Sequence, residues 1–384
     1  MKKGNALRRV LAACLSLALF ASLVFAFASC GDNDKYDFEE IDTEYKGTTL
    51  YVCNWGEYIS DGSEGSLDVV KAFEKVYGIK VKYDYFSTNE ELYAQLKSGA
   101  SYDVVIPSDY MISRLIRDDL IQKIDTSDLK NYENIAPEYK GLYFDPTDEY
   151  SVPYSVGMVG IVYDTTKVSE AEVAEQSWSL LWSKNYRTGE LINMNNPRDA
   201  FGVAMCYLGL DVNSTDPADW KAAYDKLDEQ NDNCIYLMDE IYDKMEMGNA
   251  AAAAYYAGDC LQMMQENEDL AFYYPKEGTN VFVDSMVIPK SAKNVGAAKL
   301  FIDFMLDPRV ATENANYICY ASPNVKVRTN PEYDYCEGTD EYAILYELPD
   351  SYKENPALMQ YYHTLDDETQ KLMDDYWMKL GIGE

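Results

Sequence analysis

The pattern of apolar and polar positions predicts strands and helices that alternate along the chain. Residues 48–54 are rich in β-forming side chains, and apolar side chains then recur at helical spacing over residues 67–76 until Gly78 interrupts them. The following segment, K-V-K-Y-D-Y-F, alternates as expected for a strand. Together these segments predict a strand–helix–strand unit.

The pattern continues with two more helices around a short strand. Thr88 and Glu91 have the spacing of a capping box, which predicts a helix through N-E-E-L-Y-A-Q-L-K-S that ends before Gly99. Y-D-V-V-I-P-S predicts a short apolar strand, and Ser108 lies where it can cap the next helix, D-Y-M-I-S-R-L-I-R. This alternation indicates an α/β fold with a parallel, doubly wound sheet.

The same alternation returns in the second half of the chain. Strands are predicted at G-E-L-I-N-M, A-A-A-A-Y-Y-A-G-D, L-A-F-Y-Y-P and V-F-V-D-S-M-V-I-P, and helices at residues 200–208, 217–229 and 294–306. No repeat or low-complexity linker separates the halves, which favours two α/β lobes joined by several short crossings. Ligands of open sheets bind outside the carboxyl ends of strands, and Trp55, Ser108, Asp259 and Asp284 are predicted at or near such ends.

The first thirty residues have the pattern of an export signal. Basic residues without any acid precede an apolar run over residues 10–28, and S-C-G follows. A transmembrane anchor is the alternative, and the length of the run is compatible with it. A-F-A-S-C resembles the lipobox of bacterial lipoproteins, in which the cysteine, here Cys30, is diacylated and becomes the new N-terminus. We therefore predict a signal peptide over residues 1–29, a lipidated tether over residues 30–46, and an extracytoplasmic protein anchored to the cell membrane.

Composition and charge limit the class of partner. The 384 residues, 47% of them hydrophobic, suffice for two domains with large cores. Acids outnumber bases by 66 to 33, so the formal net charge is −33. Because phosphate binding needs a basic face, this balance argues against nucleic acid as a partner. It suits a cationic ligand.

Eight cysteines do not form a recognisable disulfide framework. Cys14 lies in the leader and Cys30 is the lipidation candidate. The other six are far apart without a C-x-x-C pair, and a chain of this size does not need disulfides for stability. We predict free, mostly buried thiols.

Motifs of common catalysts are absent from the sequence. It contains no H-E-x-x-H, G-x-S-x-G, P-loop or G-x-G-x-x-G, and a histidine-dependent enzyme would have to use His363, the only histidine. A hydrolase with two carboxylates needs no histidine. D-N-D-K-Y-D lacks the glycine and distal glutamate of an EF-hand loop. We predict no catalytic residue, no cofactor and no metal site.

What remains is a repeated pairing of acids with aromatic residues near the predicted strand ends. The aromatic residues are Trp55, Tyr58, Tyr110, Tyr256, Phe282 and Tyr320, and the acids are Glu57, Asp199, Asp259 and Asp284. Carboxylates favour ammonium groups, whereas ring faces attract cations and cover methylenes. A diamine offers both, and burying four methylenes contributes about 3 kcal/mol at ~0.8 kcal/mol each.

Several segments carry a resemblance to a known family. These are Y-V-C-N-W-G-E-Y-I, S-Y-D-V-V-I-P-S-D-Y-M, Y-S-V-P-Y-S-V-G-M-V-G-I-V-Y, Y-Y-A-G-D, V-F-V-D-S-M-V-I-P-K and Y-A-S-P-N. In this order they resemble the bacterial spermidine/putrescine-binding proteins, the solute receptors of ABC importers. The resemblance runs from Thr48 to near the end of the chain. It implies a two-lobed, type II periplasmic-binding-protein-like fold, with residues 47–155 and 285–329 in lobe 1 and residues 156–284 and 330–384 in lobe 2.

The resemblance also implies a polyamine site and a set of partners. Its ligand-binding residues would be Trp55, Glu57, Tyr58, Ser108, Tyr110, Asn196, Asp199, Tyr256, Asp259, Phe282, Asp284 and Tyr320, with Arg198 beside Asp199 on the third wall. Tyr256 and Phe282 stand where relatives often carry tryptophan. Asn196 replaces an aspartate of the spermidine receptor, whereas Asp259 resembles the putrescine receptor. The chain would be a monomeric receptor without catalysis of its own that delivers its ligand to membrane permease subunits.

Two other functions remain open at this point. A ferric-ion receptor of similar fold is one, because tyrosine pairs ligate iron in lobed receptors. A secreted glycoside hydrolase is the other, because aromatic residues with carboxylates also line sugar clefts.

Overall fold

The computed structural model describes residues 36–230 and 232–382. The predicted signal peptide and Cys30 lie outside these residues. Within the described ranges, no helix combines the length and apolar character that crossing a membrane requires.

The described chain folds into short strands and helices around two long strands. The strands are β1 Thr49–Trp55, β2 Lys80–Phe86, β3 Val104–Val105, β4 Ile121–Gln122, β5 Ser151–Asp164, β6 Leu191–Met194, β7 Cys234–Leu237, β8 Ala252–Tyr256, β9 Leu270–Tyr273, β10 Thr279–Pro289 and β11 Met359–Tyr361. The α-helices are α1 Val69–Tyr77, α2 Asn89–Lys97, α3 Asp109–Arg117, α4 Glu170–Val173, α5 Pro197–Leu208, α6 Pro217–Gln230, α7 Glu240–Glu246, α8 Ala257–Glu266, α9 Val295–Met305, α10 Pro308–Ile318, α11 Val325–Arg328, α12 Asp340–Tyr346, α13 Asp350–Glu354 and α14 Asp367–Leu380.

The first strand–helix units confirm the sequence pattern. β1 pairs in parallel with both β2 and β3. Helix α1 ends at Gly78, which adopts left-handed φ of 63°. Thr88 Oγ1 accepts a hydrogen bond from the backbone N–H of Glu91 (3.1 Å), as the capping box predicts, while the Glu91 carboxylate accepts from Ser87 N (2.9 Å). Local chemistry therefore sets these boundaries.

Two long strands link the lobes and make the sheet mixed rather than purely parallel. The strand order is β2-β1-β3-β10-β5-β8-β6-β7. β10 pairs antiparallel with β3 and β5, and β5 pairs antiparallel with β8 and β9. Because β5, 14 residues long, is buried along almost its whole length, it has no alternating pattern by which the sequence could reveal it.

Each lobe has its own apolar core, as a two-lobed type II fold requires. Phe73, Phe301 and Phe304 belong to the core of the first lobe. Trp178 and Trp220 belong to that of the second.

The packing near the C-terminus bears on one of the predicted lobe boundaries, which otherwise stay a prediction. Tyr333, Tyr335 and Leu345 lie in one cluster with Cys53 and Val105 of the first lobe. The sequence analysis assigned all of residues 330–384 to the second lobe. We propose that residues 330–346 belong to the first lobe and that the chain returns to the second lobe after residue 346.

The described part of the predicted tether, residues 36–46, contacts the first lobe. The Phe38 side chain is buried, its ring centroid lies 5.5 Å from that of Phe304, and the Arg309 guanidinium lies 4.3 Å above it. The backbone N–H of Ile41 donates to the carbonyl of Val76 (2.7 Å). At Phe38 and Ile41 the predicted tether is therefore attached to the first lobe.

Several sequence assignments are corrected by the structure. The run A-A-A-A-Y-Y-A-G-D is a strand only to Tyr256, after which α8 begins. Asp284 lies inside β10 and not at a strand end. Helices α10 and α14 occupy segments to which the pattern assigned no element. The six cysteines of the described chain form no disulfide, and five are buried, which confirms the prediction of free thiols.

Candidate ligand-binding site

The centre of the candidate site is a buried aspartate on one of the linking strands. Asp284 lies where the register between β10 and β5 shifts, and it is only 4% exposed. The Tyr58 hydroxyl donates to its Oδ2 (2.9 Å) and the Ser108 hydroxyl lies near the carboxylate, whereas Oδ1 forms no hydrogen bond of regular geometry with the described residues. Burial raises the pKa of Asp284 to about 6, although the Ser108 and Tyr58 hydroxyls oppose the rise. Its unpartnered oxygen is an acceptor available to a ligand.

A second aspartate–tyrosine pair joins α5 to β8. Asp199 lies in the first turn of α5, where the helix dipole favours a negative charge. The Tyr256 hydroxyl donates to its Oδ2 (2.8 Å). Burial raises the pKa of Asp199 to about 6.

A third pair joins α8 to the segment that follows α10. Asp259 lies in the first turn of α8, and the Tyr320 hydroxyl donates to its Oδ2 (2.8 Å). Burial raises the pKa of Asp259 to about 7. Asp199 and Asp259 thus have the same local design: a strand ends, a helix begins, and its first turn presents a carboxylate.

The three tyrosines are neutral donors. Burial, together with the neighbouring aspartate charges, raises the pKa values of Tyr58, Tyr256 and Tyr320 well above their ordinary range. Each hydroxyl therefore keeps its proton and holds its aspartate in place.

Four aromatic rings connect the three pairs into one site. The Tyr58 and Tyr320 ring centroids are 5.2 Å apart in an edge-on arrangement, and Phe282 lies 6.3 Å from Tyr320. Phe282 in turn meets Tyr256 edge-on at 5.6 Å. This line of rings spans both lobes, from the end of β1 to the end of β8. The arrangement offers acceptors for ammonium groups beside ring faces that can cover an alkyl chain.

The remaining predicted residues lie around this centre. Trp55 is the last residue of β1, and its ring lies 4.5 Å from that of Phe86. Glu57 is exposed and has left-handed φ of 53°. Ser108 forms an isolated bridge with Asp284 and occupies the N-cap position of α3 without a side-chain cap bond.

Two predicted residues have their polar atoms engaged within the protein. The Tyr110 hydroxyl donates to Glu90 Oε1 (3.1 Å). Asn196 Oδ1 accepts from the backbone N–H of Arg198 (3.0 Å) and so caps α5. The amide oxygen of Asn196 is therefore already engaged.

Arg198 does not form a wall of the site, in contrast to the sequence analysis. Its guanidinium is buried and donates to the Val212 carbonyl (2.8 Å), Asn213 Oδ1 (2.8 Å) and the His363 carbonyl (3.3 Å). It also stacks over the Tyr362 ring at 4.3 Å. These contacts make Arg198 a structural tie between α5 and the C-terminal segment.

Sequence reasoning missed two residues beside Asp284. Ser155 on β5 shares a hydrogen bond with the Tyr58 hydroxyl. Asp109 is 1% exposed, and burial raises the pKa of its carboxyl well above its ordinary value, with the charge of Asp284 adding to the rise. The sequence could have indicated Asp109, because this acid directly follows Ser108 at the end of a predicted strand. No local signal marks Ser155, because β5 itself was not recognised.

The described residues contain no cluster of three histidine, cysteine, aspartate or glutamate side chains that could hold a metal ion. Asp199, Asp259 and Asp284 are each held by a different tyrosine hydroxyl.

Comparisons with known proteins agree with this geometry. Residues 68–338 match the family model described as "Bacterial extracellular solute-binding protein". The spermidine/putrescine-binding periplasmic protein of Salmonella typhimurium is 35% identical over 283 residues, which are 73% of this chain and 79% of that protein. The putrescine/cadaverine-binding protein of Pseudomonas aeruginosa is 33% identical over 72% of this chain and 79% of its own length.

Solved structures show the same relationship. The spermidine/putrescine ABC transporter substrate-binding protein of Streptococcus pneumoniae superposes with a TM-score of 0.73 at 31% identity, covering 87% of this chain and 99% of that one. A lipoprotein of Treponema pallidum superposes with a TM-score of 0.72 at 25% identity, covering 86% and 99%. On the matched family model, the sequence identities and the shared fold, the chain belongs to the bacterial extracellular solute-binding protein family.

Proposed function

We propose that this chain is an extracytoplasmic polyamine receptor that delivers putrescine or spermidine to an ABC importer. The observation that carries the proposal is a set of three aspartates, Asp199 and Asp284 buried and Asp259 half-buried, each held by a tyrosine hydroxyl and connected by one line of rings. The names of the similar proteins support the same ligand class. Catalysis is not part of the proposal, since these relatives are binding proteins.

The site offers a polyamine both kinds of contact that it needs. An ammonium group can be bound by Asp284 Oδ1, which lacks a protein partner in the described chain, and ring faces can cover the methylenes. Charge-assisted hydrogen bonds contribute about 1.5–3 kcal/mol each. An anion would meet three carboxylates and no accessible guanidinium at the centre, since Arg198 is already engaged.

The tyrosines argue against a ferric-ion receptor. Iron ligation by tyrosine requires the deprotonated phenolate. In this site the pKa values of Tyr58, Tyr256 and Tyr320 are raised by burial, and their hydroxyls donate to aspartates.

Calorimetric titration of the leaderless protein tests the proposal directly. Putrescine and spermidine should bind with a stoichiometry of one, whereas a panel of oligosaccharides should produce neither binding heat nor reducing ends. Ferric ion should produce no tyrosinate absorption band. Binding of a sugar, or failure of both polyamines to bind at micromolar concentration, would contradict the proposal.

Ligand length is the subject of one prediction. Asn196 cannot neutralise an ammonium group, and its oxygen already caps α5, whereas Asp259 supplies a carboxylate on another wall. We expect putrescine to bind at least as tightly as spermidine. Asn196→Asp should keep the cap and move the preference toward spermidine by about one decade, the value of one charge-assisted hydrogen bond.

Competition titrations with both ligands measure this preference. Thr339→Asp is the control, because Thr339 caps α12 through the same kind of bond (3.1 Å to Tyr342 N) outside the site. A tenfold spermidine preference in the wild type, or an equal change in the control, would count against the assignment.

Lipid anchoring is a second prediction, resting on A-F-A-S-C and on the lipoprotein name of the Treponema pallidum relative. We propose that Cys30 is acylated. Cys30→Ala should move the protein from the membrane fraction to the soluble fraction. Cys336→Ala, which removes a partly exposed thiol, should leave it membrane-bound. An uncleaved leader in the mass spectrum of membrane-bound Cys30→Ala would instead indicate a transmembrane anchor.

A further inference from the structure

Two glycines of β5 support aromatic rings from neighbouring strands. Gly157 lies directly opposite Phe282 in the β5–β10 register, and a Cβ on it would lie 2.2 Å from Phe282 Cζ. A Cβ on Gly160 would lie 2.2 Å from Phe272 Cζ and also 2.8 Å from the backbone carbonyl oxygen of Tyr273. Neither glycine has positive φ, so the requirement is for space and not for backbone conformation. Both rings therefore rest directly on the backbone of the linking strand.

The two rings have different surroundings. Phe282 stands between Tyr256 (5.6 Å) and Tyr320 (6.3 Å) in the line of rings that crosses the candidate site. Phe272 instead meets Tyr274 edge-on at 4.9 Å, in a contact outside that line. An aromatic ring thus packs against a glycine of β5 at both places. At Gly157 the ring belongs to the candidate ligand site, and at Gly160 it belongs to ordinary core packing.

We propose that Gly157 is a positioning residue that sets the depth of the polyamine cleft by allowing Phe282 to lie flat on β5. The inference rests on the proposed function for its ligand. A cross-strand aromatic ring over a glycine also compensates for the side chain that the glycine lacks. The position of the ring, and hence the room for the alkyl chain, depends on the missing methyl group.

The direction of the effect follows from the packing. A real Cβ cannot lie 2.2 Å from a ring carbon, so an alanine at residue 157 must displace Phe282. β5 lies beneath the ring, and therefore the ring moves away from the strand, toward Tyr256 and Tyr320. The displaced ring occupies space that the ligand needs and loses its alignment with its two neighbours.

A second glycine shows the same arrangement in the same line of rings. A Cβ on Gly258 would lie 2.5 Å from Tyr320 Cδ2, and the hydroxyl of this ring donates to Asp259. Two of the four rings of the site are therefore held close to the backbone by the absence of a side chain.

Calorimetric titration with putrescine and spermidine tests the role of Gly157. Gly157→Ala should bind both ligands at least tenfold more weakly than wild type, whereas Gly160→Ala should bind them within threefold of wild type. Thermal melting without ligand should show a loss of stability in Gly160→Ala at least as large as in Gly157→Ala, because a Cβ on Gly160 also meets a backbone oxygen. Wild-type affinity in folded Gly157→Ala, or an equal loss of affinity in Gly160→Ala, would overturn the proposal.

Rescue separates positioning from general destabilisation. In the double variant Gly157→Ala/Phe282→Leu, the shorter leucine side chain removes the clash. The double variant should therefore bind polyamines with the affinity of Phe282→Leu, within threefold. This comparison also serves if Gly157→Ala alone does not fold. A double variant that binds tenfold more weakly than Phe282→Leu would show that Gly157 does not act through the ring.

A measurement without ligand keeps this inference distinct from the proposed function. If Phe282 lies flat on Gly157, its ring current should shift the Gly157 Hα resonances upfield in the wild type, and Phe282→Leu should abolish the shift. Absence of the shift overturns the ring position whether or not polyamines bind. If the Gly157 Hα resonances are shifted upfield as expected but the wild-type protein binds neither polyamine, the ring position is established. The proposed ligand and the role of Gly157 in the cleft are then rejected.

Discussion

Replacing Asp284 with asparagine should weaken polyamine binding by about two to four orders of magnitude. The carboxylate is 4% exposed, one oxygen is held by Tyr58, and the other has no partner within the described chain. Removing one member of a buried charge pair costs about 3–5 kcal/mol, which corresponds to this range at about 1.4 kcal/mol per decade. Asparagine keeps the shape and the hydrogen bond to Tyr58 but removes the charge that a ligand ammonium needs.

Titration calorimetry on the variant and on Asp232→Asn measures this effect. Asp232 is exposed, so the control makes the same change in net charge away from the cleft. We expect the control to bind within twofold of wild type. A loss below tenfold in correctly folded Asp284→Asn would remove Asp284 from the site.

Binding should also depend steeply on pH. In the ligand-free protein the pKa values are about 6 for Asp199 and Asp284 and about 7 for Asp259, all raised by burial. A bound ammonium group favours the ionised carboxylates and lowers these values, so protons and polyamine compete. The ligand amines stay charged throughout, since alkylammonium groups titrate near pH ~10. Affinity should therefore fall by at least ~100-fold between pH 8 and pH 5. The reason is that the ionised fraction of each carboxyl group falls about tenfold per pH unit below its own pKa.

Calorimetry in buffers of different ionisation enthalpy checks the sign. Below pH 7, binding should release protons, and Asp259→Asn should remove the part of this release that occurs near pH 7. In the absence of ligand, the same three carboxyl groups affect the stability of the folded protein, and this effect depends on pH in the opposite direction to the affinity. Their folded-state pKa values exceed the unfolded value of about 3.9, so they stabilise the folded protein progressively as pH falls from about 7 toward 4. An affinity that is constant between pH 8 and pH 5 would contradict the assignment of these carboxylates to the site.

The sequence alone determined the features that depend on neighbouring residues. Thr88 and Gly78 mark helix ends because caps act within one turn, and the structure has both ends where they were predicted. The same holds for α6 and α9, which match their predicted bounds within two residues. The pairing of acids with aromatic residues was also readable, since it is a matter of residue type and position. The excess of acids argues against nucleic acid as a partner in the same way, because it too depends only on residue types.

Only the tertiary structure decided which groups meet. Tyr58 and Asp284 are separated by 226 positions in the chain, so no local pattern could pair them. Arg198 was misassigned because two of its three acceptors are backbone carbonyls, which every sequence contains and only a fold brings within reach. β5 was missed because a strand buried on both faces has no alternation. Gly157 acquires its role only when β10 places an aromatic ring over it, since what matters there is the space that a side chain would fill.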